Sequence, residues 1–146
     1  MAVRGWVAES HLEEQLKGVD GITECARLQG DGKPDISLRW KTSEPIFIEC
    51  KNVLRTTYAG HVPKLDFQRT RAAKSDPCSR YYMPSDFKVL AACLHPVTER
   101  WEFRFALTSN LPAHGSCPGR IDNNLRVKDE GFLSEINIVL DRLTSP

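Results

Sequence analysis

Three charged residues stand together where the sequence predicts a short hairpin. Asp35 directly precedes the run 36–40, and Glu49 and Lys51 lie at the end of the run 46–51. Both runs are rich in β-branched and aromatic residues, and the connection between them is short and polar, so we expect two paired strands. Side chains two positions apart project from the same face of a strand, which predicts that Glu49 and Lys51 share a face.

Two carboxylates with a lysine beside them suit the hydrolysis of a phosphodiester. Mg²⁺ prefers a few carboxylate oxygens and keeps several waters; it lowers the pKa of water and offsets charge on an attacked phosphate. A lysine can orient that water or help to deprotonate it. We therefore expect Asp35 and Glu49 to hold Mg²⁺, with Mn²⁺ able to replace it, and Lys51 to act on the water. The alternative is a turn-capping aspartate beside an exposed cross-strand cluster.

The spacing of these residues is similar to a known signature. Pro34-Asp35, thirteen intervening residues and Glu49-Cys50-Lys51 resemble the motif of the PD-(D/E)xK nucleases, the restriction-endonuclease-like superfamily. The resemblance implies an α/β, three-layer fold, with a central mixed sheet of about five strands flanked by helices in the order αβββαββα. It also implies a metal-dependent DNA endonuclease.

The same resemblance assigns roles to two further residues. A helix is predicted over 2–17, and its Glu9 matches the acidic residue that a helix lends to the metal site in these nucleases. Glu13, one turn further on, is the competing candidate for that role. A second helix is predicted over 64–74, where Gln68 matches the glutamine that contacts the catalytic lysine or the substrate.

Charge is distributed unevenly along the chain. Residues 51–80 carry seven Lys or Arg against two Asp, whereas residues 1–50 carry six Lys or Arg against nine Asp or Glu. An acidic cluster followed by a basic segment fits a metal site flanked by a polyanion-binding surface, and a solvated basic helix is the alternative. Guanidinium groups suit bidentate contacts with phosphate. The residues predicted to bind nucleic acid are Arg69, Arg71, Lys74, Arg80 and Lys33.

A chain of 146 residues is long enough to form one domain with its own core. We predict a single nuclease domain over 1–146, with its core at about 5–107, a long loop over 109–131 and a C-terminal helix over 131–143. No apolar run approaches the length of a membrane span, and the N-terminus lacks the apolar region of a signal peptide. These features predict a cytoplasmic protein with no membrane partner.

The five cysteines are widely spaced and include no CxxC pair. This pattern is typical of reduced, buried cysteines in a cytosolic protein rather than of a disulfide framework. A zinc site that uses Cys117 and His114 is an alternative, but it would have only two ligands.

Together these features predict a Mg²⁺-dependent DNA endonuclease that acts in restriction, defence or DNA processing. A Holliday-junction-resolvase-like or repair nuclease is the nearest alternative. Two other classes stay open: a catalytically inactive nucleic-acid-binding module, and a structural or partner-binding protein. A homodimer, or a place as a subunit of a larger complex, is expected because one site cleaves one strand per visit.

Overall fold

The computed structural model describes residues 3–30, 32–70 and 72–146, and its secondary structure is mixed. In chain order the helices and strands are α1 (Val3–Lys17), β1 (Ile22–Arg27), β2 (Ile36–Trp40), β3 (Ile46–Asn52), β4 (Thr57–Tyr58), β5 (Val62–Asp66), β6 (Val89–Cys93), α2 (His95–Thr98), β7 (Phe103–Leu107), β8 (Asn124–Arg126) and α3 (Ile136–Thr144). In the part of the chain described, no helix is both long enough and apolar enough to cross a membrane.

A five-stranded mixed sheet in the order β1-β2-β3-β6-β7 forms the centre of the molecule. Strands β3 and β6 are parallel, and the other neighbours are antiparallel. The apolar run of β3 therefore lies in the middle strand, with Ile46 and Ile48 buried on one face and Phe47 exposed on the other. Ile36 pairs with Ile48, and the same register extended by one step places Asp35 beside Glu49.

Helices α1 and α3 cover one face of this sheet. Leu12 and Leu16 of α1 and Val139 and Leu140 of α3 are buried in one apolar cluster with strand residues such as Ile48. Truncating a leucine buried in this way costs about 2–5 kcal/mol. At the edge of the cluster, the indole nitrogen of Trp40 donates a hydrogen bond to Asp141 Oδ1 (3.0 Å), which attaches α3 to the end of β2.

A second, three-stranded sheet in the order β4-β5-β8 helps to cover the other face. The helix predicted over 64–74 is wrong, because residues 64–66 belong to β5 and the chain then continues as a loop. The physical reason lies in the spacing of Leu65 and Phe67, which are both buried. Two positions apart, they share one face of an extended chain, whereas in a helix they would point to nearly opposite sides.

The predicted fold class, α/β with a five-stranded mixed central sheet, is confirmed. Its details differ from the expected order, because strands and loops stand where the second helix was predicted. The loop predicted over 109–131 contains β8, and the C-terminal helix begins at Ile136 rather than at 131. Helix α3 is therefore shorter than the apolar pattern suggested.

Cys78 and Cys117 form a disulfide bond, so the prediction that all five cysteines are reduced is wrong. Cys25, Cys50 and Cys93 are free thiols. Because the two bonded cysteines are 39 residues apart and are brought together by the fold, their spacing carried no signal. The zinc alternative gains no support either, since Nδ1 of His114 accepts backbone hydrogen bonds from residues 116 and 117.

We expect loss of this disulfide to destabilise the protein. The variant Cys78→Ala/Cys117→Ala should unfold with a free energy lower by roughly 2–4 kcal/mol, because the bond restricts the unfolded chain. Thermal and urea unfolding measure the change. A reductant should lower the Tm of the wild type and leave that of the double variant unchanged; an equal effect on both proteins would contradict the prediction.

Candidate active site

A cleft of about 520 Å³ opens beside the second half of β3. Asp35, Glu49 and Lys51 all line it, so the structure brings together the three residues that the hairpin pattern singled out. The opposite wall comes from the loop after β5 and from the segment before β6. The other lining residues are Gly30, Gly32, Lys33, Pro34, Gln68, Arg69, Thr70, Tyr82, Asp86 and Phe87.

Asp35 is held in place by main-chain contacts with the two neighbouring segments of the chain, β3 and the residues that follow β1. Its Oδ2 accepts a hydrogen bond from the backbone N–H of Cys50 (2.8 Å), and its own carbonyl accepts one from the N–H of Leu28 (2.9 Å). The preceding turn depends on Gly30, whose φ of +115° strains any residue with a side chain. Burial raises the pKa of the Asp35 carboxyl group above its ordinary value, although the hydrogen bond from Cys50 lowers that pKa in part.

Glu49 is nearly enclosed, with 8 % of its surface exposed. Burial, and then the adjacent charge of Asp35, raise its pKa to about 8. The hydroxyl of Tyr82 and the more distant charge of Arg69 act in the opposite direction. The two carboxyl groups thus share a poorly hydrated space, where the charge of Asp35 makes ionisation of Glu49 harder and a hydrogen bond with Glu49 lowers the pKa of Asp35.

Lys51 projects into the cleft from the same face of β3 as Glu49, and its charge lowers the pKa of Asp35. Its Nζ donates a hydrogen bond to the backbone carbonyl of Gln68 (3.2 Å). The side-chain amide of Gln68 instead donates to Asp66 Oδ1 (2.9 Å). The structure therefore joins the predicted lysine and glutamine through the main chain, from a loop rather than from a helix.

Arg69, which was predicted to bind nucleic acid, forms a wall of the cleft together with Tyr82, and sequence reasoning did not recognise this pairing. The Arg69 guanidinium lies 4.2 Å from the centre of the Tyr82 ring and pairs with Asp86 (Nη2 to Oδ2, 3.2 Å). Tyr82 also stacks on Phe67, with 4.3 Å between the ring centres. No local spacing connects these residues with β3, so the position of the Tyr82 hydroxyl beside Glu49 had no sequence signal.

The structure distinguishes between the two carboxylates of α1. Glu9 is buried and lines a second cavity, of about 390 Å³, together with Asp35. Burial first, and the charge of Asp35 second, raise its pKa to about 7. Glu13 instead forms ion pairs with Arg27 (3.2 Å) and Lys17 (3.3 Å). Glu9 is therefore the helix carboxylate that lies close to the cleft.

The residues predicted to bind nucleic acid differ in their positions relative to the two cavities. Lys33 is exposed and lines both cavities, next to Asp35. Lys74 and Arg80 are exposed, and neither lines either cavity. Arg69 is tied to Asp86, as described above. Arg71 lies outside the described residues.

The carboxyl groups of the cleft lack a paired cation among the described residues. No ion pair there involves Asp35, Glu49 or Glu9, while Lys51 bonds to a carbonyl and Arg69 to another carboxylate. Across residues 3–30, 32–70 and 72–146, no three His, Cys, Asp or Glu side chains converge as a ready-made metal cluster. Asp35 and Glu49 are thus two adjacent carboxyl groups without a paired cation among the described residues, and they could hold a divalent cation that keeps several waters.

Comparison with known proteins identifies a nuclease with a similar fold. A bacterial homing endonuclease superposes with a TM-score of 0.55 over 73 % of this chain and 68 % of its own, at 17 % sequence identity. No protein-family profile matches the sequence. No curated protein matches it significantly. At this identity the likeness shows the fold alone.

The raised pKa of Glu49 predicts how stability depends on pH without metal. Its folded pKa of about 8 exceeds the ordinary 4.5, so its contribution to stability is fully present below pH 4.5 and is lost as pH rises through about 8. Glu49→Gln should therefore stabilise the metal-free protein at pH 9 by up to about 5 kcal/mol, with no such gain at pH 4. Urea unfolding in a chelator at both pH values measures this.

The matched control is Glu44→Gln, in the exposed connection between β2 and β3. It removes the same charge from water and should change stability little at either pH. If Glu49→Gln behaves as this control does, the Glu49 carboxyl group is not held in a poorly hydrated site.

Proposed function

We propose that this protein is a Mg²⁺-dependent endonuclease of the PD-(D/E)xK type that hydrolyses phosphodiester bonds in DNA. The observation that carries the proposal is the convergence of Asp35, Glu49 and Lys51 in one cleft, on adjacent strands of a central sheet. The similarity in fold to a bacterial homing endonuclease supports DNA as the class of substrate.

Asp35 and Glu49 are the residues that would hold Mg²⁺, or Mn²⁺ in its place. When bound, the cation supplies Lewis acidity, which favours ionisation of water and offsets negative charge on the phosphate. The two carboxyl groups are suited to this because they are adjacent, partly dehydrated and without a paired cation among the described residues. The nearby carboxyl group of Glu9 adds negative charge that favours the same cation.

Lys51 would act on the attacking water. Its ammonium group has three donors, and the hydrogen bond to the Gln68 carbonyl uses one of them. The remaining donors can hold the water toward the phosphate, and the positive charge favours hydroxide as the water loses its proton. Gln68 is then a positioning residue, which acts through its carbonyl oxygen rather than through its side chain.

The polar contacts suggest different tasks for the basic residues. Arg69 fixes Tyr82 and Asp86 as a wall of the cleft, whereas exposed Lys33 is positioned to contact a phosphate of the bound strand.

Phosphate contacts by Arg71, Lys74 and Arg80 stay predictions. Restriction, defence, DNA processing and junction cleavage are finer roles of the same chemistry, and they stay predictions as well. The cytoplasmic location also stays a prediction, as does the pairing of two copies, or assembly into a larger complex, to cut both strands.

Binding of the cation is testable without any turnover. Addition of Mg²⁺ at pH 8 should raise the Tm of the wild type, because a ligand that binds only the folded state stabilises it. Asp35→Asn and Glu49→Gln should each reduce this shift, whereas Glu44→Gln should retain it. Calorimetry in two buffers should also show protons released on binding, since carboxyl groups with raised pKa must ionise. An equal Tm shift in all four proteins would contradict the assigned ligands.

Cleavage of DNA tests the proposal directly. The wild type should nick or linearise supercoiled plasmid with Mg²⁺ and not with a chelator. Lys51→Met should lower the cleavage rate by about a hundredfold or more, because it removes the group that acts on the water. The control Lys41→Met removes the same charge at the opposite, exposed end of β2 and should cleave normally. Binding of DNA without cleavage, with either Mg²⁺ or Mn²⁺, would instead identify a catalytically inactive binding module.

A further inference from the structure

The outer face of the small sheet carries two cations that lie directly opposite each other. Lys64 on β5 pairs in register with Arg126 on β8, and the two flanking residues Leu65 and Leu125 point inward and are buried. Both cations approach the ring of Tyr58 on β4, with Lys64 Nζ at 4.8 Å and the Arg126 guanidinium carbon at 4.0 Å from its centre. We call Tyr58, Lys64 and Arg126 the basic face.

The basic face is electrostatically costly for the protein alone. Like charges directly opposite on antiparallel strands destabilise the pair. Among the described residues, neither Lys64 nor Arg126 forms an ion pair with a carboxylate. The tyrosine ring attracts both cations but does not neutralise either of them. A ligand with closely spaced negative charges would relieve the repulsion that remains between Lys64 and Arg126.

The basic face is continuous with the cleft. Asp66 lies two positions beyond Lys64 on the same face of β5, and its Oδ1 accepts hydrogen bonds from the side chains of Gln68 and Asn123. Gln68 in turn holds Lys51 through its carbonyl oxygen. From Lys64 to Gln68 the chain advances four residues, which span about 13 Å when extended. Lys64 therefore lies within about four base-pair steps of duplex DNA from Lys51, the candidate catalytic lysine.

We propose that the basic face binds the sugar–phosphate backbone of duplex DNA beside the bond that is cut. The inference rests on the proposed nuclease function and adds a surface to it. Lys64 and Arg126 contact successive phosphates, and Tyr58 keeps both side chains directed outward by holding them against its ring. Because these contacts are with the backbone, the basic face supplies affinity and register for any sequence and selects no base.

Salt dependence of binding tests this surface separately from catalysis. In the double variant Lys64→Gln/Arg126→Gln, the plot of log affinity against log salt concentration should become less steep by about 2, since each lost phosphate contact removes about one unit. Fluorescence anisotropy with a linear DNA duplex, in chelator so that no cleavage occurs, gives the slope. With Mg²⁺, the KM for cleavage should rise about tenfold or more while kcat is nearly unchanged.

The control is Lys41→Gln/Arg142→Gln, which removes two exposed charges, one directly after β2 and one on α3, and should keep the wild-type slope. Unfolding of both double variants verifies that they fold, and loss of the repulsive pair should not lower Tm. An unchanged slope in Lys64→Gln/Arg126→Gln, or an equal change in the control, overturns the proposed surface. So does tight binding of the wild type to an acidic peptide but not to DNA.

The failures of the two proposals are distinguishable. If the wild type binds duplex DNA with the expected loss of slope in the variant but never cleaves, the surface stands and the nuclease proposal fails. If the wild type cleaves and the variant keeps both its slope and its KM, the nuclease proposal stands and the surface fails.

Discussion

The antiparallel register between β2 and β3 is the constraint on which the cleft depends. Ile36 and Ile48 are fully buried as a cross-strand pair, and that pair fixes which residues follow at the open end of the hairpin. A slip of one residue would turn Glu49 and Lys51 toward the helical layer and would bury two charges in an apolar cluster. The hydrophobic core thus enforces the placement of the charged residues, although neither Ile36 nor Ile48 lines the cleft.

The same placement makes the cleft electrostatically unfavourable in isolation. Asp35 is close enough to Glu49 and to Glu9 to raise the pKa of each, and Lys51 is bonded to a backbone carbonyl instead. Carboxyl groups with perturbed pKa values that cluster at a cavity are typical of functional sites. At such sites, burial that destabilises the charged groups serves binding or chemistry. The fold tolerates this cost because five strands and two helices bury a large apolar core away from the cleft.

Local patterns predicted the central part of this structure and failed where distant segments meet. The hairpin, the shared face of Glu49 and Lys51 and the long first helix all follow from the spacing of nearby residues, with periods of two or 3.6. The second helix was misassigned because good helix formers around Gln68 outweighed the alternation of Leu65 and Phe67. Tertiary packing on the sheet decided in favour of the extended form.

The wall of the cleft is formed by contacts that could not be predicted from the sequence alone. Tyr82 and Asp86 reach β3 and Arg69 only after the chain has folded back, and the Cys78–Cys117 bond depends on the same long-range approach. Ordinary residue types at uninformative spacings gave no reason to group them. Gln68 is an intermediate case, since the residue was singled out by resemblance but contacts Lys51 through its backbone carbonyl, which every amino acid possesses.

The Cys78–Cys117 bond joins the two segments that flank the proposed binding path of DNA. One of them continues into Tyr82, and the other leads into β8 and Arg126. The N–H of Ile121 also donates to the carbonyl of Tyr82 (2.8 Å), so covalent and hydrogen-bonded ties act in parallel. The cleft wall and the small sheet are thereby linked as one frame in the oxidised protein. We therefore expect samples purified with and without reductant to differ in the rigidity of that frame, even though their sequences are identical.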